Sequence, residues 1–505
     1  MRRLAATLLA LAVLLAPPAG ATWSIVLVDT GTGEVAVGTA TCLEGFDLLK
    51  YVPVIVVGRG AGAAQSAVDG TAANRKEIYD NLLLGTPPSA IIDVLLEGDL
   101  QWKARQYGIA DLSPAAAGYT GGAAMQYKEH VTGTSGTLTW AIQGNVLTGA
   151  PVLAAAEAAV LSTPGSLADR LMAGMEAARL MGGDGRCSCL TGGPQSCGSP
   201  PPAFEKSAHV GCVVVARIGD VDGGCEPVQG CAKGSYWLKL NVKGQQEDDP
   251  DPVLQLHALY AGFLAGLHGR PDGLRSVASF DHGTLLADGQ STRTLHLALY
   301  DHFGAPITTG GASVTVSHAP GSAGLGVPGP VTDHGDGTYS LSVTAGAASG
   351  TDLFAVRVDD GTQPATLYPY PTLELVPALR ADAGSLGAGA GGVVELSLQG
   401  PSATADRDYW VALSASGTQP GQVLPTGVVL PLNADRLFGA TPSLVSVGLL
   451  GGVPGVLDRA GAATAALQPA PGALAPLAGL SLACAWFTVR PPDFASNAIL
   501  IEILP

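Results

Sequence analysis

Apolar positions crowd the first third of the chain and set its reading. "TWSIVLVD" and "EVAVGTAT" (residues 22–41) are dense apolar runs joined by "TGTG". This predicts a hairpin whose strands are covered on both faces, because one-sided strands would alternate. "YVPVIVVG" predicts a third strand. "NRKEIYDNLLLG" and "TPPSAIIDVLLEGD" then read as helices, the second with Thr86 as N-cap and Pro87 at the first helical position. "RQYGIAD" and "LTWAIQGN" return to strand, "PVLAAAEAAVL" and "SLADRLMAGMEAARLM" to helix, and "HVGCVVVARIGD" and "SYWLKLNVKG" to strand. Paired strands with paired helices between them suit a layered α/β/β/α domain.

Near residue 273 the pattern changes. Helical spacing disappears, and "TRTLHLALYD", "ASVTVSH", "GTYSLSVTAG" and "DLFAVRVDD" alternate between Gly, Pro and Asp turns. Short strands at this interval predict an all-β sandwich. From about 377 onward "GVVELSLQG", "DYWVALSAS", "SLACAWFTV" and "NAILIEILP" predict a second β-rich block. These strand patterns and turns are self-contained, so residues 273–505 are expected to fold without the first block.

The N-terminus reads as an export signal. Arg2 and Arg3 precede the 13-residue apolar run Leu4 to Ala16, which is too short to span a bilayer, and Ala19-Gly20-Ala21 is a small-x-small cleavage pattern. A cut after Ala21 leaves Thr22 as the first residue. No later run reaches the ~20 apolar residues of a transmembrane helix. The expected location is secreted, extracellular or periplasmic, with cell-surface association through the β blocks. Losing the two arginines takes the net charge from −16 to −18. A sparse, acidic charge set excludes nucleic acid as a partner, since phosphate binding needs clustered Lys and Arg.

Eight cysteines then face an oxidising compartment. Six lie between Cys187 and Cys231. Most of Cys187, Cys189, Cys197, Cys225 and Cys231 are expected in disulfides, with Cys42 as a further partner and the pairing open. A thiolate metal site is the alternative. Cys212 and Cys484 sit in apolar strand patterns and are expected to be free and buried.

Five motifs occur in order: "TWSIVLVDTGTGEVAVGTAT", "RQYGIAD", "WAIQGNVL", "MGGDGR" and "DDPDPVLQL". Together they resemble the bacterial family called domain of unknown function 1028, over about Thr22 to Leu264. The resemblance implies an N-terminal-nucleophile hydrolase fold and places the family's leading threonine on Thr22. Its Gln-Gly-Asn falls on Gln143, Gly144 and Asn145, and its Gly-Asp-Arg region on Gly183, Asp184 and Arg186. The family runs from there into a Ser-rich strand. Here "CSCLTGGPQSCGSPPPAFEK" intervenes before Ser207. "ADGQSTRTLHLALYDHFGAPITTG" and "VTDHGDGTYSLSVTAG" resemble invasin- and filamin-type immunoglobulin-like repeats. "PLNADRLF" and "ASNAILIEI" resemble C-terminal modules of secreted proteins from planctomycete-like bacteria. The expected fold class is therefore α+β: a four-layer αββα N-terminal-nucleophile-like sandwich followed by two all-β sandwich domains. The boundaries are 1–21 for the signal peptide, then 22–272, 273–376 and 377–505.

The chemistry follows from the terminus. A threonine hydroxyl is a weak nucleophile without a base beside it. A terminal α-amine has a pKa near ~8 and can be that base. Asn145 would donate to an oxyanion, and Asp184 with Arg186 would form a charge pair orienting the amine or a substrate carboxylate. Each has a plainer use: a post-cleavage small residue for Thr22, a turn residue for Asn145, a structural ion pair for Asp184 and Arg186. Lys50 is the nearest lysine but precedes the third strand rather than lying in it. Thr39 and Thr41 line the cleft or serve as ordinary strand threonines, the commoner use. His130 and His209 read as packing or surface residues. "GDVDGG" and "EDDPDP" hold carboxylates, but neither is a complete calcium loop, and both read as solvated turns. No G-x-S-x-G, H-E-x-x-H or Walker loop competes, and no cofactor or metal is expected. Two function classes fit. One is an amide-bond hydrolase acting on an amide or peptide-like substrate. The other is a non-catalytic surface or matrix-binding protein that keeps the fold as a scaffold.

Overall fold

Residues 22–189 and 191–505 are described by the computed structural model; the signal-peptide reading of residues 1–21 lies outside them. Strands β1 (Thr22–Asp29) and β2 (Glu34–Thr41) form the expected antiparallel hairpin, with Trp23 opposite Ala40 and Asp29 opposite Glu34. A short helix α1 (Leu48–Tyr51) leads to β3 (Pro53–Val56) and β4 (Gly60–Ser66). Helices α2 (Ala73–Leu84) and α3 (Pro88–Gly98) follow, then β5 (Arg105–Asp111), β6 (Ala116–Thr120), β7 (Glu129–Ser135) and β8 (Leu138–Asn145). Helices α4 (Pro151–Ser162), α5 (Leu167–Leu180) and α6 (Gly185–Ser188) precede β9 (Val210–Ala216) and β10 (Leu238–Val242), and α7 (Pro252–Ala265) comes last.

The larger sheet has the order β10-β9-β2-β1-β8-β7 and the smaller one β3-β4-β5-β6, antiparallel throughout. Strand side chains alternate between faces, so β1 feeds two cores. Ile25 and Leu27 pack with Met172 and Met175 of α5 and Leu256 of α7. Val26 and Val28 pack with Ile55, Ala61 and Val214 between the sheets. A third cluster joins Val54, Tyr107 and Ile109 of the smaller sheet to Ile78 and Leu82 of α2 and Ile91 of α3. α5 and α7 thus pack on the larger sheet, and α2 and α3 on the smaller one.

Local chemistry explains most boundaries. Ser166 and Asp169 form a reciprocal capping box at the start of α5. The α3 start differs from expectation by one residue: Pro87 is the N-cap and Pro88 the first helical residue, while the Thr86 hydroxyl bonds Asn81 Oδ1 (3.0 Å). The chain after residue 275 is almost all β. Strands Thr292–Ala298 and Thr338–Thr344 pair in one sheet, and Gly350–Asp359 and Thr372–Val376 in another. Further on, Val394–Gln399 pairs with Ala462–Leu467, and Asp408–Ser414 with Ser481–Thr488, around buried Trp486, Leu396 and Ile501. One helix interrupts this region, α8 (Arg436–Ser446), capped by the Asp435 side chain on Phe438 N–H (2.7 Å). A mixed α/β region followed by all-β structure is the coarse architecture.

The chain divides into two compact units. Among the described residues, the first holds those from 22 to 275 with 300–305 and 359–369; the second holds 276–299, 306–358 and 370–505.

Candidate functional site: the polar end of the first sheet

The face of the larger sheet that meets the smaller one is not uniformly apolar. Along β1 it runs Val28, Val26, Ser24, Thr22, so the two positions of this face nearest the start of the strand are polar. Neighbouring strands stop in step. Ser24 stands opposite Thr39 of β2 and Gln143 of β8, and Gln143 opposite His130 of β7. Thr22 stands opposite Asn145, with Thr41 of β2 continuing the same row on its other side. The smaller sheet answers with its own polar row, Gln65, Gln106 and Thr120 on β4, β5 and β6.

Hydrogen bonds knit these rows. Gln65 Nε2 donates to the Thr22 carbonyl (2.8 Å) and to Gln106 Oε1 (3.0 Å). Gln106 Nε2 donates to the Gly144 carbonyl (2.8 Å) and Thr120 Oγ1 (3.1 Å). Thr39 Oγ1 donates to the Trp23 carbonyl (2.9 Å), and the Ser24 hydroxyl lies between Thr39 Oγ1 (2.8 Å) and Gln65 Oε1. Thr120 Oγ1 meets His130 Nδ1 (2.9 Å). Burial lowers the His130 pKa against the opposing charge of Glu129. Two glycines admit this layer: a Cβ on Gly108 would overlap the Gln143 amide, and one on Gly118 the His130 ring. Both amide atoms of buried Gln143 lack a protein partner among the described residues, a costly arrangement.

Asp184 and Arg186 come to the same end. Gly185 N–H bonds the Val146 carbonyl (2.9 Å), Asp184 bridges to Leu147, and Cys42 N–H donates to Asp184 Oδ2 (2.8 Å). The turn before α6 therefore touches the continuations of both β2 and β8, the strands flanking Thr22. Asp184 is 0% exposed and pairs with the Arg186 guanidinium (Oδ1 3.1 Å, Oδ2 2.8 Å). It also caps α6 through Arg186 N–H (3.1 Å). The Cys42–Cys187 disulfide clamps this turn to the end of β2.

Thr22, Asn145, Asp184 and Arg186 are thus brought to one end of one sheet. Thr22 is 1% exposed and, as the first residue of β1, pairs with Asn145 of β8. Lys50 is not among them: it lies on α1 and pairs with Asp47 (3.9 Å). Ser207 Oγ is held by Asp251 Oδ2 (2.8 Å), while its carbonyl accepts Asp184 N–H (3.0 Å). In the two acidic turns Glu247 and Asp248 are exposed, as solvated turns imply, whereas other carboxylates are tied into the fold. Asp251 caps α7 on Val253 N–H (2.8 Å), and Asp222 accepts from Val57 N–H (3.0 Å). Sequence reasoning missed Ser24, Gln65 and Gln106. Their only signal is polarity inside apolar strands, and it becomes legible once the pairing of the strands is known.

A second buried polar group lies beside the disulfide. Lys206 Nζ donates to the Gln246 carbonyl (3.0 Å) and faces His209 Nδ1 (3.3 Å). Glu44, His209 and Glu247 have the proximity of metal ligands. The lysine makes Nδ1 an acceptor, so Nε2 carries the proton toward Glu247 (3.2 Å). That is a hydrogen-bonded histidine rather than a ligand. Burial and then Lys206 lower its pKa, opposed by Glu247, Glu44 and Asp184.

Residues 22–197 fit the model of a family of unknown function, DUF1028. The N-terminal region matches the DUF1028 family. Residues 274–368 match domain 3 of invasin. No curated protein matches the chain. Among solved structures, the DUF1028 protein SPO2555 from Silicibacter pomeroyi is 20% identical with a TM-score of 0.35, over 48% of this chain and 88% of that one. The Yersinia pseudotuberculosis adhesin InvE is 17% identical with a TM-score of 0.20, over 46% of this chain and 60% of that one. The Escherichia coli adhesin FdeC is 11% identical with a TM-score of 0.21, over 95% and 96%.

Three disulfides, Cys42–Cys187, Cys189–Cys197 and Cys225–Cys231, fit an oxidising compartment, and Cys212 and Cys484 are free and buried, as their strand patterns implied. Together with the invasin-type match they point to an extracellular or surface location. No helix among the described residues is long and apolar enough to cross a membrane.

Proposed function

We propose that the first unit is an exported amide-bond hydrolase of the N-terminal-nucleophile type, with Thr22 as nucleophile after cleavage between Ala21 and Thr22. One observation carries this reading: polar side chains gather in successive paired rows of the inter-sheet layer where β1 begins, and the Asp184 turn converges on that same end. A core filled for stability alone would continue the apolar pattern of Val26 and Val28. In the chain that carries residues 1–21, Thr22 is peptide-bonded and lacks the amine that would serve as base. Release of that segment supplies it. Asn145, beside Thr22 in the row, is the proposed oxyanion donor, and the Asp184–Arg186 pair positions the end of the sheet.

The secreted chain is expected to begin Thr-Trp-Ser by N-terminal sequencing. On a substrate found by screening amides, acyl-amino acids and peptidoglycan fragments, Thr22→Ala should lower turnover roughly a thousandfold or more. Thr22→Ser should keep part of the activity, and one extra residue ahead of Thr22 should inactivate like Thr22→Ala. Wild-type turnover by Thr22→Ala would remove the assignment.

A second reading has its own support. The burial of Thr22, the internal pairing of Asp184, and the invasin domain 3 match favour a non-catalytic surface protein that uses its β region for attachment. A mature chain starting anywhere but Thr22 would select it.

A further inference from the structure

The smaller sheet contributes no residue to the site just proposed, yet two of its side chains reach across to that site's backbone. Gln65 on β4 spends one amide proton on the Thr22 carbonyl (2.8 Å) and the other on Gln106 Oε1 (3.0 Å). Gln106 on β5 spends its protons on the Gly144 carbonyl (2.8 Å), the residue before Asn145, and on Thr120 Oγ1 (3.1 Å), with the Glu129 carbonyl near the same nitrogen (3.2 Å). Both glutamines are buried. Their amide orientations are fixed by chemistry. Gln65 Nε2 faces only acceptors, so reversing it would set an oxygen against the Thr22 carbonyl. Gln65 Oε1 in turn takes the Ser24 hydroxyl.

We infer that Gln65 and Gln106 are positioning residues that hold the main chain of Thr22 and of Gly144–Asn145 in fixed relation across the two sheets. This rests on the nucleophile reading of Thr22. A strand that starts at its reactive residue has no upstream chain to hold it, so its first peptide is where a sheet frays. Main-chain pairing with β2 and β8 restrains that end within the larger sheet only. The glutamine pair adds an anchor perpendicular to the sheet, at the carbonyl of the residue that carries both amine and hydroxyl. It grips the strand bearing the oxyanion donor through the same connected pair. Positioning on this scale matters because a misplacement of about 1 Å can cost about a hundredfold in rate.

The test uses the full chain from Thr22 to Pro505, made as a cleavable fusion that leaves Thr22 as its first residue. The probe is a small alkyl β-lactone, which acylates a nucleophilic threonine hydroxyl; peptide mapping reads the ester on Thr22. Thr22→Ala gives the background. Gln65→Met keeps the volume and removes both polar atoms. It is expected to slow acylation about tenfold to a hundredfold. Tyr260→Phe removes a buried hydrogen bond to Asp169 (2.8 Å) in the outer helical layer, and is expected to label at the parent rate. Matched thermal midpoints for the two variants separate position from stability.

Gln65→Glu provides a signature that a filling role would not move. Its ionised carboxylate repels the Thr22 carbonyl, whereas its protonated form can donate. Its labelling rate relative to the parent should therefore rise as pH falls. If the parent chain leaves Thr22 unlabelled, the nucleophile reading fails and this inference falls with it. If the parent is labelled and Gln65→Met matches it, only the positioning role is overturned.

Discussion

Asp220 accepts two backbone donors, Arg217 N–H and Trp237 N–H, both at 2.8 Å. Such bonds ordinarily lower a carboxyl pKa. Burial outweighs them here and, with a smaller push from Glu34, lifts Asp220 to about 6. Nearby Asp272 shows the opposite balance: burial works to raise it, but His302 and the Arg217 guanidinium offset that and hold it well below the usual range. Arg217 sits between Glu34 and Asp272, at 2.8 Å from each, with Trp237 under its face. The sign for Asp220 follows from linkage. Its folded pKa exceeds its unfolded value, so between about pH 4 and 6 the folded state holds more protons and stability falls as pH rises. Asp220→Asn should remove that component. Relative to the parent it should gain up to about 3 kcal/mol between pH 4 and 7, read by denaturant unfolding at each pH. A constant difference across this range would refute the shifted carboxyl.

At the scale of elements, the disulfides differ in what they constrain. Cys42–Cys187 closes 145 residues of separation, Cys189–Cys197 only 8 and Cys225–Cys231 only 6. Chain entropy alone assigns about 5 kcal/mol to the first and about 2.5 kcal/mol to each of the others. The double variant Cys42→Ser, Cys187→Ser should therefore account for the largest part of the melting-temperature loss seen on full reduction. Alkylation of denatured, unreduced protein should label two thiols, Cys212 and Cys484. Legibility also varied by element. The run at 22–41 was readable because both faces of β1 and β2 are buried. α5 was readable because its apolar residues recur at helical spacing; the capping box of Ser166 and Asp169 starts it. β4, "GAGAAQS", carried no strand signal: its Gly and Ala residues pack closely against β5 and α2, with Gly60 and Gly62 meeting Leu82 and Ile78. α7 was hidden by "DDPDP", which reads as a turn until Asp251 is seen capping the helix that starts at Pro252. Thr22, Asn145, Asp184 and Arg186 were reached through family motifs. The glutamine rows were not, because their alignment depends on which strands pair.

At the scale of the whole molecule, strand pattern and compactness divide the chain differently. Alternation changes near residue 273, but the first compact unit also takes in residues 300–305 and 359–369. Those segments are held by specific partners within that unit. His302 Nδ1 meets Asp272 Oδ2 (2.9 Å), Asp360 pairs with Arg270 (3.1 Å), and Gln363 Nε2 donates to the Tyr236 carbonyl (3.1 Å). A cut at 273 removes Arg270, Asp272 and Tyr236 and leaves these loops without their partners. Residues 377–505 instead keep their own buried cluster around Trp486, Leu396, Leu413 and Ile501. We expect fragment 377–505 to unfold cooperatively alone. Fragment 273–505 should show the same transition plus a second, immunoglobulin-like one at lower temperature than in the chain 22–505. The loss of three buried or half-buried polar contacts sets the size of that drop at about 1–3 kcal/mol. Calorimetry on the three chains checks this. An immunoglobulin-like transition at the same temperature with and without residues 22–272 would show that loops 300–305 and 359–369 gain nothing from the first unit. The boundary at 272 would then be a division of stability as well as of pattern.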